Sequence, residues 1–182
     1  MSSLKLNVSF AIEDLKVNQE KSLAYVSESK HVEAVKNKVN RLKRAESFAK
    51  LSDNVLMFIV THCNEDTLEE LVRSDNKDSI CNYKTAQRIA DLACLLSNES
   101  SAQSIKLAYS NILAFKAKYE NLECIKCSLN ETLRVIHKSN DSYAKNVLKA
   151  LYFFNLVECN SKKRKNEKFI DVFSQYDTII IK

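Results

Sequence analysis

The chain contains no glycine and no proline in 182 residues, and no tryptophan. Average usage, about 7% and 5%, would supply roughly thirteen glycines and nine prolines. A phosphate-binding loop, a dinucleotide fingerprint and a G-x-S-x-G elbow each need glycine for a strained turn or close backbone approach. None of them exists here, which excludes most nucleotide-hydrolysing and dinucleotide-dependent enzyme classes; no enzyme and no cofactor is expected. Turns must instead be made by Asn, Asp and Ser, which tolerate left-handed geometry better than other residues with a side chain. SDN, CNED, RSDNKDS, SNESS, KSND and ECNS punctuate the chain accordingly. Glycine and proline codons are GC-rich, so an AT-rich source, such as a phage or other mobile element, is the expected origin.

Long hydrophobic runs are also missing. LMFIV at 56–60 falls far short of the roughly 18 apolar residues that a membrane span needs. The opening MSSLKLNVSF has no basic lead, apolar core and small-residue cleavage site. Six cysteines, at 63, 81, 94, 124, 127 and 159, sit mostly in apolar surroundings, as reduced thiols of a cytoplasmic protein would. Apolar content of 45% and charge of 28% describe an ordinary globular chain, long enough for a real core.

The apolar pattern defines the organisation. LKLNVSFAI at 4–12 alternates perfectly and predicts a half-buried strand. Val32, Val35, Val39 and Leu42 follow at helical spacing, with Lys36, Lys38, Arg41, Lys43 and Arg44 around them. The heptad fades after Leu42, which favours a packed helix over a coiled-coil seam. Ser52 and Asp53 can cap a helix through VLMFIVTHC, and Asn64 precedes EDTLEELVR with acids in its first turn. YKTAQRIADLACLL places Ala86, Ile89, Ala90, Ala93 and Leu96 on one face, and AQSIKLAYSNILAFKAKYE predicts a longer helix after SNESS. The expected divisions are 1–52, a strand and basic helix; 53–100, a three-helix segment; and 101–182.

The last division carries the most information. ECIKC at 123–127 reads as a short strand, and Ser128 or Asn130 caps ETLRVIH. KSND turns the chain into SYAKNVLKALYFFN, followed by LVECN, the basic block SKKRKNEK, FIDVFS and TIII. This order resembles the winged helix-turn-helix family over roughly residues 105–175, most closely in CSLNETLRVIHKSNDSYAKNVLKALYFFNLVE. The family often has glycine in its wing and before its hairpin, where Asn155, Asn160 and Asn166 stand here. The resemblance implies a mainly α (α+β) fold: a helical N-terminal part, then a winged-helix-like unit with a small antiparallel sheet. It also implies duplex DNA as the partner and a transcriptional regulator as the function.

On a helical wheel, Ala144, Val147, Leu148 and Leu151 form the packing face of the second helix of the pair. Ser142, Lys145, Asn146 and Lys149 line the opposite face, with Tyr143 at its margin. The resemblance puts the N-terminal half of this helix in the major groove. There Asn can pair with adenine, Lys can reach guanine acceptors and Ser can take either role. Lys162, Lys163, Arg164, Lys165 and Lys168 stand where the family's wing meets phosphates. A net charge of +5 suits such a partner.

Cys124-x-x-Cys127, with His137 and Cys159, invites a zinc reading, but zinc sites announce themselves with two close pairs. No metal is expected. His62 and Cys63 are adjacent on a helix and do not face each other as a base and nucleophile must. The regulator is expected to be a homodimer, joined by the 32–42 helix or the 4–12 strand. The alternative is a helical structural, scaffold or inhibitor protein that binds a viral or host protein, its basic loop serving only solubility.

Overall fold

The computed structural model describes residues 28–64, 67–68, 83–119, 122–160, 173 and 178–182. The 4–12 strand, most of LEELVR and of FIDVFS, Cys81, Asn166 and the whole basic block lie outside these residues. The chain divides into two units, Met1–Lys38 and Val39–Lys182. Of the first, residues 28–38 are described, as helix with Val32 exposed.

The second unit is mainly helical, with a small antiparallel sheet. Val39 and Leu42, at the end of helix α1 (28–42), belong to this unit and are buried. α2 (Asp53–His62), α3 (Tyr83–Leu96) and α4 (Gln103–Ala117) follow, then β1 (Ile125–Ser128), α5 (Leu129–Ile136), α6 (Asp141–Phe153), β2 (Val157–Cys159) and β3 (Thr178–Ile181). The helix starts have a common chemistry. Ser52, Ser128 and Asn140 each accept a hydrogen bond from the backbone N–H three residues on, which satisfies one orphan donor of α2, α5 and α6. Of the two candidate caps for α5, Ser128 is the one used. Asn64 does the same for the helical residues Thr67 and Leu68, its side-chain oxygen accepting from Thr67 N–H at 3.4 Å.

The ends of α3 and α6 show how a chain without glycine stops a helix. Asn98 and Asn155 have φ of 61° and 57°. Around Asn98, Glu99 N–H reaches Cys94 O and Asn98 N–H reaches Leu95 O; around Asn155, Leu156 N–H reaches Leu151 O and Asn155 N–H reaches Tyr152 O. Both are Schellman motifs, with asparagine in the left-handed position that glycine usually holds.

β3 lies at the centre of the sheet, antiparallel to both neighbours, in the order β1-β3-β2. Ile181 faces Ile125 and Val157, and Ile179 faces Cys127 and Cys159. Directly opposed residues point to one side, so this row of apolar side chains closes the core. β2 pairs with TIII, and FIDVFS lies outside the described residues except for Phe173. Phe173 packs edge-on against Tyr152 at 5.8 Å.

One buried cluster runs from Val39 to Ile181. The expected core stripe of α6 is in place: Ala144, Val147, Leu148 and Leu151 have no exposed surface. The broadest helix packing is between α3 and α6, so residues from 53–100 and from 101–182 share this core. That contact decides what α6 can offer to a partner.

Candidate functional site

Helix α6 follows α5 through the turn 137–140. The His137 ring holds this turn, its Nδ1 accepting from the backbone N–H of Ser139 at 3.3 Å and Asn140 at 3.1 Å. Accepting twice at Nδ1 leaves the ring proton on Nε2. Asn140 then caps α6 by accepting from Tyr143 N–H at 2.9 Å. Turn and cap together fix the angle at which α6 leaves α5.

α6 is buried on more of its circumference than its sequence predicts. Besides the expected stripe, Asn146, Ala150 and Phe153 are buried on a second face, where Asn146 meets α3. Asn146, expected on the exposed reading face, is only 8% exposed. Its amide oxygen accepts from Thr85 Oγ1 at 2.7 Å, and its amide nitrogen donates to Ser142 O at 2.7 Å. A side chain so engaged cannot present its amide edge to a base, and the expectation of an exposed Asn146 is corrected. The physical reason is α3, whose Thr85 supplies a donor that turns a polar position into a core position.

Tyr143 is half-buried and similarly occupied. The Arg88 guanidinium lies 5.2 Å from its ring centroid, and the His137 ring meets it edge-on at 5.5 Å. Arg88 also pairs with Asp91 at 3.0 Å. Burial pushes the Asp91 carboxyl above its ordinary value, more strongly than Arg88 pulls it down. Ser142 and Lys145 are exposed and Lys149 is half-buried with a partner of its own. With Tyr152 they leave an outward arc of about 80° on the helix. Lys84, exposed at the start of α3, precedes the residue that bonds Asn146. Lys162, Lys163, Arg164, Lys165 and Lys168 lie outside the described residues.

A second concentration of charge went unnoticed in the sequence. Between α4 and α5 lies an open groove of about 720 Å³, lined by Ala114, Phe115 and Val135 and by the cations Lys118, Arg134 and Lys138. Its signal is the four-residue spacing of Arg134 and Lys138, but Lys118 comes from another helix, and no local pattern joins the three.

Among the described residues Cys94, Cys124 and Cys127 are free thiols, and no group of three or more potential metal-binding side chains occurs. Cys127 and Cys159 flank Ile179 in the sheet, two strand spacings or roughly 10 Å apart, beyond disulfide reach. His137 gives its Nδ1 to the turn. The His62 ring stacks on Phe58 at 4.2 Å, while the Cys63 thiol leans toward Val60 O at 3.9 Å. Among the described residues no helix is long and apolar enough to cross a membrane. Comparison with protein-family models, curated proteins and solved structures finds no match to this chain.

Proposed function

We propose that the chain is a sequence-specific duplex DNA-binding protein, a transcriptional regulator of a mobile element or phage-like genome, working as a cytoplasmic homodimer. The observation that carries this reading is the order α4-β1-α5-α6-β2-β3 together with the strand order β1-β3-β2. That order supports the resemblance to a winged helix-turn-helix unit, and in the sequence the basic block falls between β2 and β3, where the family's wing would lie. α6 is then the groove-reading helix, and its reading set contracts to Ser142, Lys145 and Lys149. Phosphate contacts from the block supply affinity, and the helix supplies selection.

Anisotropy of labelled random and selected duplexes, titrated across salt, tests the reading. Replacing Lys162, Lys163, Arg164 and Lys165 with Ala weakens binding to all duplexes alike and flattens the salt slope by about 0.9 per lost contact. Lys145→Ala narrows the gap between selected and random sites, by about 1–3 kcal/mol. Wild-type protein that binds no duplex at low salt would sink the proposal. The competing reading, a helical scaffold or inhibitor acting on a viral or host protein, draws on one specific observation. Asn146 is sealed under α3 and Tyr143 is held by Arg88, so two of the five candidate reading residues serve packing.

A further inference from the structure

We propose that the groove between α4 and α5 is a docking site for an acidic amphipathic helix of a partner protein. The surface is independent of the DNA-reading proposal, since none of its lining residues belongs to α6.

Three features of the groove select this occupant. First, its floor is apolar: Ala114, Phe115 and Val135 present carbon where a surface groove would ordinarily be polar. Phe115 and Val135 are partly buried against the core, so the floor rests on a firm base. Second, its rim is cationic and unsatisfied. Lys118, Arg134 and Lys138 line it against a single carboxylate, Glu131, and none of the three pairs with an acid among the described residues. Third, apolar surface continues on the other side of the same helix end, where Leu113, Tyr119 and Leu122 are exposed. Clustered exposed apolar residues on a globular protein mark interaction surfaces.

The dimensions fit a helix. α5 has eight residues and so runs about 12 Å, the length of two turns of a bound helix. A helix laid into a groove anchors with apolar residues at i, i+3, i+4 and i+7, and places its remaining residues along the rim. Here the rim asks for Glu or Asp. A nucleic-acid backbone would satisfy the cations but leave Phe115 and Val135 in contact with water or phosphate. The apolar floor therefore favours a peptide. Asn111, whose side-chain nitrogen donates to Ile136 O at 3.4 Å, braces α4 against the end of α5.

The test uses the full chain, isotopically labelled for amide spectra, and two designed helical peptides of two to three turns. One carries a leucine stripe flanked by glutamates; its twin has lysine in place of every glutamate. The acidic peptide is expected to bind saturably and to shift amides within 111–118 and 129–138. The basic twin is expected to leave them in place. Arg134→Glu combined with Lys138→Glu weakens the acidic peptide about tenfold or more, while unperturbed amide spectra elsewhere show that the variant is folded. Val135→Glu, which spoils the floor and leaves the rim, also abolishes binding. Equal binding of the twins, shifts outside the groove, or no binding at millimolar peptide overturns the proposal. So does a duplex oligonucleotide that shifts the same amides and displaces the peptide, because the groove is then a phosphate track.

Discussion

Thr85 and Asn146 make the sharpest test of the packing. Their hydrogen bond is buried, 2.7 Å long, and joins α3 to α6 across 61 residues of sequence. Thr85→Val keeps the shape and removes the donor, so the Asn146 amide oxygen loses this partner inside the core. An acceptor orphaned in this way costs about 1–3 kcal/mol, more than the bond itself contributes, because its water is not returned. With a urea dependence near 2 kcal/mol/M for a domain of this size, the unfolding midpoint should fall by about 0.5–1.5 M at unchanged slope. Thr85→Val combined with Asn146→Leu removes both polar partners and should recover most of that loss, since an apolar pair needs no bond. The double-mutant cycle then reads a coupling of about 1–2 kcal/mol. A midpoint for Thr85→Val within about 0.2 M of wild type, or a double variant no better than the single, would refute the reasoning. An exposed Asn146 would predict the opposite pattern, with every variant within about 0.5 kcal/mol.

The thiols and the first helix supply three further expectations. Burial raises the Cys94 and Cys127 thiols above their ordinary value, so thiol titration of native protein should label exposed Cys124 fast and these two slowly. The same shift has a stability sign: above the ordinary thiol range the unfolded chain ionises while the folded one keeps its protons. Stability should therefore be full below that range and fall as pH rises through it, in urea melts of wild type but less so of Cys94→Ala with Cys127→Ala. A flat profile would count against it. For oligomeric state, Val39 and Leu42 are committed to the core, which leaves α1 too little apolar stripe for a dimer seam. Val32→Asp should leave the sedimenting mass unchanged, and a drop from dimer to monomer would contradict this.

Period and punctuation made much of the fold legible. Ala144, Val147, Leu148 and Leu151 repeat at helical spacing and are the buried stripe of α6, because one face of one helix is a local pattern. Ser52 and Ser128 cap as their side chains predict, since a cap needs only residues three apart. Pairings across the chain were not legible. Nothing near Asn146 announces Thr85, and nothing near Tyr143 announces Arg88, so both side chains read as outward-facing. TIII occupies the centre of the sheet among the described residues, where Ile179 and Ile181 meet apolar partners on both sides at once, partners that lie far away in sequence. The cationic groove was hidden for the same reason, its rim being split between two helices.

The two left-handed asparagines separate what composition imposes from what the fold requires. A side chain in that conformation carries strain that glycine does not, although asparagine carries less than most. At Asn98 the backbone bonds to Cys94 and Leu95 do the stopping, and the amide stands in for an absent residue type. At Asn155 the side-chain oxygen also accepts from Asn64 at 3.4 Å, tying the end of α6 to the residue that caps the next helical segment. The first position is thus open ground where evolution under a different codon supply could gain stability without touching the core. The second is a joint between two parts of the chain, and glycine there would loosen what it relaxes.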